Sequence, residues 1–289
     1  MRAVLAASRP FSWINTAYPF AAGYLVATGG RVDVALVVGT LYFLVPYNLL
    51  MYGVNDVFDY ASDLRNPRKG GIEGALADPA TARVTHRRIL RACVATNVPF
   101  LVALLLLGDP LAGVVLALVV LGVVAYSAPG LRFKERPFLD SFTSAMHFAG
   151  PLLYALVLVD ADLAARSVWP VLVGFVLWGM ASHAFGAVQD VRADREGGIA
   201  SVATAVGAHA TVLGAAAAYV AAAAVLAVLP WPGVLAALLP IPYAVNVLRF
   251  RDVRDDDCER ANAGWRTFLW LNLVTGFLVT MLLIAGALV

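Results

Sequence analysis

Apolar runs long enough to cross a bilayer recur from one end of this chain to the other. A helix needs about 17–25 apolar residues to span the hydrocarbon core. Such runs lie at about 11–29, 33–54, 89–107, 110–128, 138–159, 168–187, 207–229, 231–250 and 265–288. Of the 289 residues, 61% are hydrophobic and 14% charged, where a soluble domain carries about a quarter charged. The expectation is an all-α integral membrane protein with nine transmembrane helices, forming a single polytopic domain over residues 1–289. Val4 to Ala7 is too short for a signal-peptide core, so the first span is expected to direct insertion.

Charge placement gives the orientation. All Lys and Arg except Arg31 and Arg166, among 21, fall on the N-terminal side or in the connections after spans 2, 4, 6 and 8. The positive-inside rule puts those segments in the cytoplasm. The C-terminus is then outside, as nine crossings require, and the expected location is the plasma membrane. A net charge of +2 gives no reason to expect a nucleic-acid partner. Cys93 and Cys258, without CxxC or metal-ligand spacing, read as two unpaired thiols in a reducing compartment.

Against this background, acids at the ends of two spans stand out. Span 2 ends in Asn55-Asp56-Val57-Phe58-Asp59-Tyr60-Ala61-Ser62-Asp63. On a helix advancing ~100° per residue, Asp56, Asp59 and Asp63 share an arc of about 60°, with Asn55 at its border. Three aligned carboxylates repel one another, and each costs a few kcal/mol at a membrane boundary. Hard divalent cations resolve both problems, and oxygen-only ligands suit Mg²⁺. Span 6 ends in Gln189-Asp190-Val191-Arg192-Ala193-Asp194, with two carboxylates at i and i+4. Both motifs fall on the same membrane face. The expected metal ligands are Asn55, Asp56, Asp59, Asp63, Asp190 and Asp194, around two Mg²⁺ ions. A diphosphate is the natural bridging ligand. The pairs Asn55-Asp56-Val57 and Gln189-Asp190-Val191 also echo one another, four spans apart.

Other residues carry weaker signals. Arg68 and Lys69, within the basic cluster after the first motif, can hold phosphate or face anionic headgroups. Arg83, Arg87 and Arg88 read as topology signals. Asp252, Asp255, Asp256 and Asp257, beside Arg251 and Arg254, read as a solvated loop. His147 and His183 sit inside spans and read as interhelical hydrogen-bonding groups. Asn15 can reach a diphosphate or bridge helices. Tyr126 is an aromatic face near the charged loop after span 4.

Taken together, NDxxDxxxD after span 2, DxxxD after span 6 and Tyr126-Ser127-Ala128-Pro129-Gly130-Leu131-Arg132-Phe133-Lys134 after span 4 resemble the UbiA-type intramembrane prenyltransferase superfamily. Gly198, Ser201, Thr204 and Gly207 follow the same family's downstream pattern. The resemblance implies a helical bundle around a central cavity open to lipid. It also implies that Asp56, Asp59, Asp63, Asp190 and Asp194 serve catalysis through metal-bound diphosphate, with Lys134 and Arg132 touching its oxygens. Many relatives have Pro-Pro where this chain has Pro129-Gly130, a departure expected to loosen that loop.

Ser8-Arg9-Pro10-Phe11-Ser12-Trp13-Ile14-Asn15-Thr16-Ala17-Tyr18-Pro19 and the segment from Asn55 to Gly71 resemble the lycopene elongases of actinobacteria. That resemblance implies transfer of a dimethylallyl group from its diphosphate to lycopene. Within the superfamily, a quinone precursor or a glycerol lipid is the alternative acceptor; the lack of a cationic group inside a span favours a hydrocarbon. A cation transporter is the reading from another class. It is disfavoured because the acids cluster at one face with no counterpart at the midplane.

Overall fold

A computed structural model describes residues 2–60, 64 and 77–288. The expected all-helical architecture is found. The described helices are α1 (Arg2–Ala7), α2 (Trp13–Ala27), α3 (Val34–Leu44), α4 (Pro46–Phe58), α5 (Ala82–Leu107), α6 (Pro110–Ser127), α7 (Leu139–Leu158), α8 (Trp169–Val188), α9 (Val191–Gly197), α10 (Val202–Val206), α11 (Ala208–Leu226), α12 (Ile241–Leu248) and α13 (Asn262–Leu288).

Among the described residues, seven helical segments are long and apolar enough to cross a membrane, α3 and α4 counting as one segment, Val34–Phe58. The protein is therefore a multi-pass membrane protein. At expected spans 1 and 8 the helices are shorter. The first, α2, is 15 residues long, because a 3₁₀ turn at Pro10–Ser12 precedes it and Gly29-Gly30 follows it. The other is divided into a 3₁₀ turn, Gly233–Leu238, and α12, on either side of Pro240. Proline has no N–H to continue a helix and clashes with the preceding turn.

The chain forms two compact units, residues 1–133 with 146–161, and residues 134–145 with 162–289. The first has an aromatic core of Phe20, Tyr24, Tyr42, Phe43, Tyr47 and Tyr154, each at most 1% exposed. The ring centroids of Phe20 and Phe43 lie 5.2 Å apart, and those of Tyr42 and Phe43 4.9 Å. A Cβ on Gly39 would come within 2.0 Å of the Phe20 ring, so only glycine lets α3 approach α2 this closely.

Pro46 separates α3 from α4 and disrupts the backbone bonding there. In a bilayer, carbonyls released by such a break need other donors. Thr16 Oγ1 and Asn48 Nδ2 donate to the Phe43 carbonyl at 2.6 and 2.8 Å, and Asn97 Nδ2 donates to that of Pro46 at 2.9 Å. All three side chains are buried. They fix the joint from which α4 carries the first acidic motif.

The second unit packs Phe185, Val188, Val191, Tyr219, Tyr243 and Val247 into its core. Ser182 Oγ and Tyr219 Oη are hydrogen-bonded at 2.9 Å, which ties α8 to α11. Both cysteines are buried and free, as expected.

Candidate active site

Asp56 lies in the last turn of α4, and Asp59 is its C-terminal cap. Both are buried. A helix C-terminus carries roughly half a negative charge, so two carboxylates are poorly placed there unless cations oppose them. Arg9 Nη2 lies 3.0 Å from Asp56 Oδ1, and Arg132 Nη2 lies 3.6 Å from Asp59 Oδ1. The Arg9 guanidinium also sits 4.4 Å from the centroid of the Tyr52 ring.

Both arginines occupy the left-handed backbone region, with φ of 48° and 39°. For a residue with a Cβ that conformation costs about 1–2 kcal/mol, and such strain gathers at functional sites. Arg9 was not among the expected ligand-binding residues. It stands 47 positions from Asp56; the only signal for it was its place at the cytoplasmic end of span 1, the end where the acids lie.

One expectation is corrected. The first motif is not a continuous helical stripe, because α4 ends at Phe58 and the chain bends at Asp59. Aspartate holds a helix interior weakly, since its side chain competes for backbone partners. Asn55, expected to offer its carbonyl oxygen to metal, accepts a hydrogen bond there from buried Ser127 Oγ at 2.8 Å. An amide oxygen has a second lone pair, so this bond orients Asn55 without using up its acceptor. Asp63, Arg68 and Lys69 lie outside the described residues.

The turn that presents Arg132 explains the Pro-Gly pair. Leu131 N–H donates to the Ala128 carbonyl at 3.2 Å, and Gly130 has φ of 86°. These are the marks of a type II turn with Pro129 second and glycine third. Proline, held near φ −65°, cannot occupy position 130. Glycine here defines the turn rather than loosening it. Next to the turn, the Tyr126 ring meets His147 edge-on at 4.9 Å. Asn15 is exposed on α2 and makes no hydrogen bond to the described acids.

The second motif belongs to the other unit and has the opposite polarity. Here α8 ends at Val188, Asp190 is the N-cap of α9, and Asp194 lies in that helix's first turn. The expected i, i+4 pair is kept, since Asp194 N–H donates to the Asp190 carbonyl at 2.8 Å. The positive end of a helix favours carboxylates, so these two need less outside compensation than the first pair. Gln189 Oε1 accepts from Asn262 Nδ2 at 2.6 Å, so the amide before each acid is held through its oxygen.

The acids at 252–257 lie in a largely exposed loop, as expected, and this loop also pairs with α9. Arg195 pairs with Asp255 at 2.5 Å and Arg192 with Glu259 at 2.5 Å, while Asp255 Oδ1 also accepts from Ala208 N–H at 2.7 Å. Ser201 and Thr204 form the capping box of α10. Asp140, fully buried, accepts from Val202 N–H at 2.7 Å, and its neighbour Ser141 reaches His183 Nδ1 at 3.2 Å. The hydrogen-bonding role expected of His183 is therefore met. Lys134 lies half-buried in a 3₁₀ turn, Phe133–Glu135.

Among the described residues, no three His, Cys, Asp or Glu side chains cluster as a metal site. The donor chemistry nevertheless fits a hard cation: Asp56 and Asp59 are buried carboxylates at a negative helix end, and Asp190 and Asp194 add only oxygen.

Comparison with known proteins follows the same lines. A family model described as the UbiA prenyltransferase family matches residues 16–273. The chain is 53% identical over 283 residues to a C(50) beta-cyclic carotenoids biosynthesis protein, LbtBC, of Dietzia sp. (strain CQ4), covering 98% of this chain and 64% of that longer protein. It is 46% identical over 285 residues to a lycopene elongase/hydratase of Corynebacterium glutamicum, covering 99% of this chain and 97% of the relative. A UbiA homolog from Archaeoglobus fulgidus, solved with GPP and Mg²⁺, shares the fold at a TM-score of 0.68 and 15% identity, covering 94% of this chain and 98% of that one.

Proposed function

This chain belongs to the UbiA prenyltransferase family, and on that premise we propose that it transfers a dimethylallyl group from its diphosphate to a terminal alkene of lycopene. The observation that carries the reading is the buried pair Asp56 and Asp59, set at the negative end of α4 between two arginines. Such a site is built to hold cations and, through them, an anion. The elongase activity named for the Corynebacterium relative supports the acceptor, and the GPP and Mg²⁺ of the Archaeoglobus homolog support the donor class and the metal.

In this reading Asp56, Asp59 and Asp63, with Asp190 and Asp194, hold two Mg²⁺ ions, which when bound draw negative charge from the diphosphate leaving group. Asn55 completes the ligand set. Arg132 and Lys134 donate hydrogen bonds to the departing oxygens, where charge develops and such donors count most. Arg68 and Lys69 offer further charge to the phosphates, and Asn15 a polar contact. Apolar walls keep water from the allylic cation, and the Tyr126 ring offers it a negative face. The donor C–O bond breaks, and a C–C bond forms to the alkene. The tertiary cation left on the acceptor loses a proton or captures water.

The two units act as one prenyltransferase domain, and α2 and Gly233–Leu248 complete nine crossings of the cell membrane. The charge distribution supports a cytoplasmic N-terminus and acidic motifs, with the C-terminus outside. Expression in lycopene-accumulating bacteria, beside Asp56→Ala and Asp190→Ala, tests the function by mass spectrometry of pigments. Products heavier by one or two five-carbon units, with wild type alone, are expected. Unmodified lycopene from inserted wild-type protein would overturn the acceptor.

A further inference from the structure

Outside the acidic motifs, the described residues enclose an open groove of about 890 Å³ beside the first half of α5. Its walls include Tyr60, Arg83, His86, Arg87, Leu90 and Arg91. The three arginines repeat every fourth residue, so they form one stripe. None of the described lining residues is acidic.

The face does not end with the arginines. At ~100° per residue, Arg83, Arg87 and Arg91 share an arc of about 100° with Val94, Val98, Val102 and Leu105. All seven side chains are exposed. One surface of α5 therefore runs from guanidinium to bare aliphatic along its length. This helix has 26 residues, about 39 Å at 1.5 Å per residue, whereas the hydrocarbon core is about 30 Å thick. Its first turns thus stand at headgroup level, and Arg91 can extend its guanidinium toward that level from below.

We propose that this groove binds one anionic glycerophospholipid, its phosphate on Arg83, Arg87 and Arg91 and an acyl chain along Val94, Val98, Val102 and Leu105. Charge complementarity selects the headgroup, and the change of polarity along the face selects a lipid over a soluble anion. The Tyr60 ring packs edge-on against His86 at 4.7 Å, and its hydroxyl donates to the Ala77 carbonyl at 2.9 Å. Because Tyr60 directly follows Asp59, a lipid in the groove braces the chain where it leaves the first acidic pair. Prenyl transfer is accordingly faster in an anionic bilayer.

The test is native mass spectrometry of detergent-purified, delipidated protein titrated with phosphatidylglycerol or phosphatidylcholine. It is paired with transfer rates in nanodiscs of each lipid. Wild type should hold one phosphatidylglycerol roughly tenfold or more tighter than phosphatidylcholine. R83Q/R87Q/R91Q should lose both the preference and the rate advantage, while R249Q/R251Q/R266Q, altered away from the groove, keeps them. Should the triple variant not fold, R87Q and R91Q should each weaken the adduct about threefold or more. Equal affinity for the two lipids overturns the proposal. So does equal loss in both triple variants, which would mean a diffuse field. Displacement of the lipid by millimolar inorganic phosphate would mean a soluble-anion site and also overturns it.

Discussion

Replacing Arg9 with glutamine tests whether the first acidic pair depends on a cation. Its guanidinium is 3.0 Å from Asp56, and the two side chains are 19% and 7% exposed. At an effective dielectric of about 20, charges ~4 Å apart attract by about 4 kcal/mol. Removing one partner of a buried pair costs about 3–5 kcal/mol, because the other charge is left uncompensated. Arg9 keeps some exposure and Arg132 stands near Asp59, so the expected loss is about 2–3 kcal/mol. That corresponds to roughly 5–10 °C in apparent melting midpoint. The measurement is thermal unfolding of purified protein in detergent, with EDTA or with Mg²⁺. In EDTA, Arg9→Gln should melt well below wild type, and Arg9→Gln/Asp56→Asn should recover most of the difference. Added Mg²⁺ should stabilise Arg9→Gln more than wild type, since it supplies the positive charge that was removed. Arg31→Gln, breaking an exposed pair with Asp33, should lower the midpoint far less than Arg9→Gln does. If Arg9→Gln melts within ~2 °C of wild type in EDTA, or gains no extra stability from Mg²⁺, the electrostatic account of the site is wrong.

Further outcomes follow from other features. Gly130→Pro cannot keep φ of 86°; misplacing Arg132 should lower transfer about a hundredfold, measured by product formation, with the protein still inserted. EDTA should abolish transfer by wild type and excess Mg²⁺ should restore it; activity that survives chelation would exclude metal-held diphosphate. The Tyr24 hydroxyl, the Leu36 N–H and nearby Arg31 hold the Asp33 carboxyl below its usual range. Its stabilising contribution is therefore complete above about pH 4 and is lost as acid drives pH down through the lowered value. The wild-type melting midpoint should fall more steeply there than that of Asp33→Asn; parallel profiles would remove Asp33 from the account.

What the sequence disclosed depended on the range of the signal. Helices such as α6 were legible because Asp109-Pro110 caps an apolar run that nothing interrupts, with Asp109 accepting from Ala112 N–H. The division of expected span 8 at Pro240 was visible residue by residue, but a run judged on hydrophobicity alone passes over a proline between apolar neighbours. The break at Asp59 had only a weak local mark, the aspartate itself, since no glycine or proline lies between Val54 and Asp63. A distant arginine, Arg132, meets the carboxylate at that point. The roles of Arg9 and of loop 252–260 were hidden for the same reason, because their partners lie 47 and about 60 residues away. The acids themselves were found because charge at the end of an apolar span is costly wherever the chain goes next.

The joint at Pro46 has a bearing on how this sequence can drift. Three buried side chains clamp carbonyls at and just before it, so the joint is a fixed elbow rather than a pivot. Asp56 stands ten residues beyond it, about 15 Å along the axis. One residue inserted between Tyr47 and Asn55 would raise the acids about 1.5 Å and swing them ~100° away from Arg9 and Ser127. Length changes in homologous chains should therefore be absent from the ten residues after Pro46.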